Sequence, residues 1–151
     1  MSPTLRPARP DDAAALSALA YRATAFWGYS PAYLAGSRAE LEITPAALSR
    51  AESAVMECEG QIGGFSLLEL DGASGRLRFL LADPDCLGQG IERQLWRELL
   101  ERARALRLEQ LQIVSDPYAE SFFVSLGAQR TGLVPSASIP GRHLPQLSYR
   151  L

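Results

Sequence analysis

The residues most clearly suited to chemistry form a short glycine-bearing turn between an apolar run and a long amphipathic segment. The apolar run covers residues 77–82, and it is followed by Asp83 and Pro84 and then by Gly88 and Gly90. A strand that ends in such a turn and opens a helix presents free backbone N–H groups and the positive end of the helix dipole. Both features favour a bound phosphate. The sequence therefore predicts an anion site at this turn.

Gly88 and Gly90 suit this turn for a steric reason. A Cβ atom would block the close approach of a phosphate, and glycine tolerates the positive φ angles that phosphate-binding turns often need. The pair does not make a dinucleotide fingerprint, because Arg93 stands where that pattern requires a third glycine.

The composition excludes several other classes of site. All fifteen basic residues are Arg, and the chain contains neither Lys nor Asn. A Schiff-base lysine, a P-loop lysine and a Cys/His/Asn triad are therefore ruled out. The single histidine, His143, is too few for a multi-histidine metal site, and we predict no metal. The sequence also lacks the Gly-x-Ser-x-Gly element of many hydrolases.

Length and composition predict one domain over residues 1–151, since 47% hydrophobic residues suffice for a core. A net charge of −2 argues against a nucleic-acid partner. No apolar run approaches the roughly 18 residues of a membrane span, and no signal peptide is evident. Cys58 and Cys86 are far apart in sequence and are predicted to be free thiols in a reducing compartment. These observations predict a cytoplasmic protein with no membrane partner.

Hydrophobic periodicity predicts a strand, two helices, three strands, a helix, a strand, a helix and two final strands. The predicted strands are residues 4–6, 53–59, 62–70, 76–82, 111–114, 128–134 and 144–151, and the main helices are 13–23, 31–41, 90–106 and 117–126, with one short turn after Thr44. The three consecutive strands predict an antiparallel meander. The helix between strands 76–82 and 111–114 requires these two strands to be parallel. The fold class is therefore α+β, with a mixed, mostly antiparallel central sheet flanked by helices.

Element order and several motifs together resemble the GNAT family of acyl-CoA-dependent N-acetyltransferases over essentially the whole chain. Residues 83–84 followed by 88–91 (Gly-Gln-Gly-Ile) resemble the family's loop for the acyl-CoA pyrophosphate. Residues 119–128 resemble its late helix, and residues 27–30 and 138–145 are similar to segments of one bacterial branch. The resemblance implies a GNAT-like acyl-CoA N-acyltransferase fold.

The resemblance also implies where acetyl-CoA binds as cosubstrate. In the family, the strand before the loop splays from its neighbour, and its backbone pairs with the pantetheine amides. These contacts would fall on Leu80, Leu81 and Ala82. The pyrophosphate would contact the backbone N–H groups of the loop residues, which are Leu87, Gly88, Gln89, Gly90, Ile91 and Glu92. Family members often form homodimers through their C-terminal strands, so a homodimer is a further expectation.

Glu92 departs from the family pattern, which usually has Gly or Ala at the end of the loop, and Leu87 stands where the family usually has Gln or Arg. A carboxylate about 5 Å from a phosphate is repelled by roughly 3 kcal/mol at an effective dielectric constant near 20. The alternative interpretation is structural, because a Glu in the first helical turn gains about 0.3–1 kcal/mol from the helix dipole. Both interpretations hold if the side chain turns outward.

A second departure concerns the general acid. The family's late helix commonly carries a Tyr whose hydroxyl protonates the leaving thiolate, and the matching residue here is Phe123. Tyr118 and Ser115 are the remaining candidates for this role. Glu69 and Asp71, at the end of the preceding strand, are the nearest carboxylates by sequence to serve as the base that deprotonates the incoming amine, and Glu69 is our candidate. One alternative is that Glu69 is an ordinary solvated residue beside a turn. Another is that water relays the proton and no dedicated base is needed.

Trp27, Tyr29 and Tyr33 lie between the first two helices, where the family builds its acceptor pocket. Aromatic walls there suit an amine-bearing or partly apolar acceptor. The alternative for Trp27 is a packing contact between the two helices. The resemblance thus predicts an N-acetyltransferase that moves an acetyl group to a primary amine of a small molecule or peptide, by direct attack. The competing hypothesis, favoured by Glu92 and Phe123, is a catalytically degenerate GNAT-like domain for ligand binding or interaction.

Overall fold

A computed structural model of the chain describes residues 3–151, so Met1 and Ser2 of the expected 1–151 domain lie outside the described residues. The described part contains seven strands and five α-helices. The strands are β1 Thr4–Arg6, β2 Glu52–Cys58, β3 Gln61–Asp71, β4 Ser74–Ala82, β5 Gln110–Val114, β6 Gln129–Pro135 and β7 His143–Arg150. The helices are α1 Ala13–Phe26, α2 Pro31–Leu41, α3 Pro45–Arg50, α4 Ile91–Ala105 and α5 Glu120–Ser125.

All seven strands join one sheet in the order β1-β2-β3-β4-β5-β7-β6. Strands β2, β3 and β4 form the predicted antiparallel meander, and α4 connects β4 to a parallel β5, as the crossover required. The β2–β3 turn places Glu59 and Gly60 at positive φ, which is characteristic of a type I′ hairpin. The predicted fold class, an α+β domain with a mixed and mostly antiparallel sheet flanked by helices, is confirmed.

Local sequence signals explain most helix boundaries. The Ser30 hydroxyl accepts a hydrogen bond from the Tyr33 N–H at the start of α2, and Thr44 caps α3 in the same way, with Pro at the first position of each helix. The predicted late helix begins at Glu120 rather than at residue 117. Asp116 accepts a hydrogen bond from the Tyr118 N–H, and the intervening residues form a turn ahead of the helix. Among residues 3–151, no helix is long and apolar enough to cross a membrane.

The sheet buries a core on each face. On one face α4 packs with Ile91, Leu95 and Leu99 over the centre of the sheet. On the other face α1 and α3 cover Phe65 and Phe79. The sheet is therefore sandwiched between two helical layers, which hold the carboxyl end of β4 in a fixed position between them.

Two glycines in β3 let the start of α4 approach the sheet closely. A Cβ atom at Gly64 would lie 2.6 Å from Cγ2 of Ile91 and 2.7 Å from the backbone oxygen of Leu81. Neighbouring Gly63 is similarly confined, with its Cβ position 3.1 Å from Cδ1 of Ile91. Ile91, the first residue of α4, thus packs directly on β3, and this contact also positions the preceding loop.

We expect Gly64→Ala to lower the free energy of unfolding by about 1–3 kcal/mol, because the added methyl group overpacks this contact against backbone. Gly132→Ala is the matched control, since a Cβ atom at that strand position meets nothing within 4 Å. Chemical denaturation of both variants measures the difference. Equal stabilities for the two variants would contradict the close approach of α4 to β3.

Candidate active site

The central feature of the site is a gap where β4 and β5 separate. The two strands pair only from Ser74 to Leu77 on β4 and from Gln110 to Ile113 on β5. Beyond that point β4 stays with β3 as far as Ala82, whereas the end of β5 stays with β7. The sheet is therefore continuous at one end and open between β4 and β5 at the other. We call this opening the wedge.

The wedge begins at a bulge in β4. Leu68 opposes Leu77 and Leu67 opposes Phe79, so Arg78 is an extra residue in the β3–β4 ladder. A bulge bends its strand and increases the local twist. Arg78 is also the residue at which pairing with β5 ends. Beyond it, the backbone of residues 80–82 has no strand partner on the β5 side within the described chain.

The loop after β4 is fixed at its start by Asp83. The Asp83 carboxylate caps a 3₁₀ turn by accepting a hydrogen bond from the Asp85 N–H, and it receives another at 2.6 Å from Arg22 of α1. Burial by itself would raise the pKa of Asp83, but the Asp85 hydrogen bond and the Arg22 guanidinium outweigh it and hold the pKa below its usual value. This partly buried ion pair connects the loop to the opposite helical layer.

The loop then passes through two left-handed glycines. Gly88 has φ +84° and Gly90 has φ +72°, and a Cβ atom at either would meet no other atom within 4 Å. Gly90 is the N-cap of α4 and provides no side-chain cap. The first backbone N–H groups of α4 therefore have neither intrahelical partners nor a side-chain cap from Gly90, an arrangement that suits a bound anion.

Glu92 lies in the first turn of α4 and is half-buried. Its carboxylate has no ion-pair partner among the described residues. Burial raises the pKa of Glu92 above its usual value, since little else compensates the loss of water. The residue that breaks the family pattern is therefore also one whose charged form is disfavoured by burial and has no ion-pair partner among the described residues.

The predicted acceptor residue Tyr29 lies at the centre of a polar and aromatic cluster. Its hydroxyl lies 3.0 and 2.8 Å from the two carboxylate oxygens of Asp116, which follows β5, and it accepts a hydrogen bond at 2.8 Å from Arg142. Its ring stacks on Tyr33 with centroids 4.0 Å apart, and the Arg142 guanidinium lies over both rings. Burial, as the largest influence, raises the pKa of Tyr29, so its hydroxyl stays protonated at neutral pH.

Trp27 extends this cluster toward solvent. Its ring stacks on Tyr118 at 5.3 Å with an interplanar angle of 7°, and Tyr118 also meets Tyr29 edge-on. Tyr118 is 55% exposed, and its hydroxyl makes no hydrogen bond within the described chain. The structure therefore brings Trp27 and Tyr29 against residues 116–118, shortly after β5, with Tyr33 stacked on Tyr29.

The other predicted catalytic residues have different surroundings. Ser115 is buried, and its hydroxyl donates to the backbone oxygen of Asp116 at 2.7 Å. Glu69 lies in β3 near the bulge, 3.6 Å from Arg78. Phe123 is buried and packs its ring 6.0 Å from that of Trp96. Tyr118 is therefore the one phenol of these candidates that combines exposure with an uncommitted hydroxyl.

These features agree with what the chain matches among known proteins. The family model described as acetyltransferase (GNAT) domain matches residues 34–134. The chain belongs to the GNAT acetyltransferase family. No curated protein matches the sequence significantly.

Solved GNAT structures share the fold over the whole chain. A GCN5-related N-acetyltransferase from Rhodopseudomonas palustris superposes with a TM-score of 0.84 at 25% identity, covering 100% of this chain and 97% of that one. The PaiA N-acetyltransferase from Thermoplasma acidophilum, solved in complex with coenzyme A, has a TM-score of 0.84 at 16% identity with full coverage of both chains. The ribosomal-protein-S18-alanine N-acetyltransferase from Escherichia coli has a TM-score of 0.72 at 19% identity, covering 98% and 93%.

Two members of the cluster were missed by reasoning from the sequence. The sequence indicates for Asp116 only a position ahead of the predicted helix 117–126, and for Arg142 only membership of the segment 138–145. Neither position has a local signal for its role, because the partner of both, Tyr29, is 87 and 113 residues away in sequence. A Pro/Gly-rich loop that carries a single Arg is the one available hint.

We expect Glu92→Gln to raise the melting temperature at pH 7. Because the folded protein holds the Glu92 proton more tightly than the unfolded chain, its stability falls as pH rises from the usual value of 4.5 through the raised pKa. Gln does not titrate, so it avoids this pH-dependent loss of stability. The gain in melting temperature should therefore disappear at a pH below 4.5, the usual pKa of Glu. The control is Glu101→Gln, an exposed acid on the same helix. A gain in melting temperature that persists below this pH would contradict the conclusion that burial of the Glu92 carboxylate lowers stability.

Proposed function

We propose that this GNAT protein transfers an acetyl group from acetyl-CoA to a primary amine of a small molecule or peptide, by direct attack of the amine on the thioester. The observation that carries the proposal is the wedge ending in an open, amide-lined loop. The unpaired β4 backbone at Leu80, Leu81 and Ala82 would accept the pantetheine amides. The N–H groups from Leu87 to Glu92 would hold the pyrophosphate. The coenzyme A complex of the Thermoplasma structure supports this assignment for the shared fold.

The acceptor amine would approach from the aromatic cluster. Trp27 stacks on Tyr118 and Tyr29 stacks on Tyr33, next to the segment that follows β5, and these rings would present flat apolar surfaces to the acceptor. Asp116 is already engaged by the Tyr29 hydroxyl and the Tyr118 N–H, so it acts by fixing these rings and is less suited to be the base. Glu69, paired with Arg78, remains the candidate base, with water as relay.

The reaction also needs a proton for the departing thiolate. Phe123 has no hydroxyl, and the Ser115 hydroxyl is committed to a backbone carbonyl. We assign the proton to Tyr118, whose hydroxyl is free at the end of the wedge next to Trp27. The amine gives a proton through water to Glu69, its nitrogen bonds to the carbonyl carbon, the carbon–sulfur bond breaks, and the sulfur takes the proton from the Tyr118 phenol.

Calorimetric titration with coenzyme A tests the cosubstrate site. We expect Gly88→Ala to bind coenzyme A about tenfold or more weakly than the unaltered protein, because its Cβ atom would displace a charged phosphate from at least one N–H donor. Gly72→Ala is the matched control, since this glycine also has positive φ and open surroundings but lies in the β3–β4 turn. Both variants should lose similar stability, and only Gly88→Ala should lose affinity. Equal affinities would refute the proposed phosphate site.

Steady-state kinetics test the general acid, with an acceptor found by screening primary amines for release of thiol from acetyl-CoA. We expect Tyr118→Phe to lower kcat by about 10²-fold, the lower end of the usual contribution of a general acid. KM for acetyl-CoA should not change, because the ring still stacks on Trp27. Tyr149→Phe, which removes a phenol from the core near Trp96, should leave kcat unaltered. An unchanged kcat in Tyr118→Phe would remove Tyr118 from the mechanism.

The second candidate function is a GNAT-like domain that binds a ligand or partner without acyl transfer. Two observations favour it: Glu92, half-buried without an ion-pair partner in the first turn of α4, and Phe123 in place of the usual acid. The titration distinguishes the two functions. Absence of both heat and thermal shift with millimolar acetyl-CoA would reject the transferase, whereas binding without turnover of any amine would favour the degenerate domain.

A further inference from the structure

Cys58 and Cys86 meet in space although they are far apart in the sequence. Cys58 ends β2, and Cys86 ends the 3₁₀ turn that begins the phosphate-binding loop. The Cβ position of Gly63, in β3 between them, lies 2.8 Å from Sγ of Cys58 and 3.4 Å from Sγ of Cys86. The two sulfur atoms therefore lie over the same glycine, and only the missing side chain at position 63 leaves room for both.

The two thiols are reachable by a small reagent. Both are partly exposed free cysteines, and both line an open cleft of about 320 Å³ between the β2–β3 turn and the loop. The charged groups facing this cleft are the carboxylates of Glu59, Asp83 and Asp85. Burial, followed by the neighbouring Cys58 and the acids, raises the pKa of Cys86, which keeps Cys86 as a thiol at neutral pH.

We propose that Cys58 and Cys86 form a redox site, in which a hydroperoxide converts the pair to a disulfide that disables the phosphate-binding loop. The Cys58 sulfur attacks the peroxide, the O–O bond breaks, and the departing oxygen takes the thiol proton, which gives a sulfenic acid and one water (or alcohol). The Cys86 thiol then displaces hydroxide from that sulfenic acid, which forms the S–S bond and releases a second water. Two thiols lose two electrons and two protons, and the peroxide is reduced.

The effect on the loop follows from strand geometry. Cys58 lies on the β2 side of β3, and the turn of Cys86 lies on the β4 side. Bonded sulfur atoms lie about 2.0 Å apart, closer than two unbonded thiols can approach, and bridged cysteines have Cα atoms usually 4.4–6.8 Å apart. Closing the bond therefore draws the turn toward β2. Leu87 and Gly88 follow directly, so their N–H groups leave the positions that suit a phosphate.

Mass spectrometry of the full-length protein tests bond formation independently of the proposed transferase. After one equivalent of hydrogen peroxide, we expect the loss of two hydrogen masses and of both titratable thiols. Tryptic digestion should join peptide 51–76, which contains Cys58, to peptide 79–93, which contains Cys86. In Cys86→Ser, a sulfenic acid should be trapped by dimedone at Cys58. Addition of oxygen at separate thiols without a joined peptide would overturn the proposal.

The consequence for ligand binding rests on the proposed function and is measured separately. We expect peroxide-treated protein to bind coenzyme A about tenfold more weakly, with recovery by dithiothreitol, because one lost hydrogen bond to a charged phosphate already has this effect. Cys58→Ser should bind equally before and after peroxide. If the reduced protein does not bind coenzyme A, the proposed function fails and the disulfide result stands. If the disulfide forms and affinity is unchanged, the regulatory role is refuted.

Discussion

The separation of β4 from β5 is the constraint on which the rest of the site depends. A continuous sheet satisfies its backbone groups internally and has no place for an extended ligand. The extra residue Arg78 bends β4 where its pairing with β5 ends, and β5 continues with β7. The unpaired backbone at 80–82 is thereby placed in line with the loop and the start of α4. One irregularity in one ladder thus coincides with both the opening and its alignment with the glycine-bearing loop.

The two helical layers hold this opening in place by different interactions. On one face, the absence of side chains at Gly63 and Gly64 lets Ile91 rest on the sheet, so the dipole of α4 points into the wedge from a fixed position. On the other face, Arg22 pairs with Asp83 and Tyr29 with Asp116, which connects the first two helices to the ends of both separated strands. Tight apolar packing thus fixes the start of α4, and charged hydrogen bonds fix the segments on the opposite face.

Much of the fold was predictable because it depends on local or periodic signals. The apolar stripe of α4, the caps at Ser30 and Thr44 and the alternating strands each follow from residues close together in sequence. The parallel pairing of β4 with β5 followed from the intervening helix alone. The start of the late helix was predicted a few residues too early, because Asp116 caps a turn that precedes the helix. The residue type at a cap does not indicate the length of such a turn.

The sequence by itself determined the order of elements, the glycine-bearing loop and the exclusion of lysine and multi-histidine chemistry, because these depend on residue type and short spacing. The tertiary structure decided which distant residues meet. Sequence spacing did not predict that Cys58 lies near Cys86, because that contact depends on the missing side chain at Gly63. It also did not predict that Arg142 contacts Tyr29, because three separate segments must pack together for that contact to form. Such contacts arise only when strand register and helix packing are fixed together, and no local pattern encodes them.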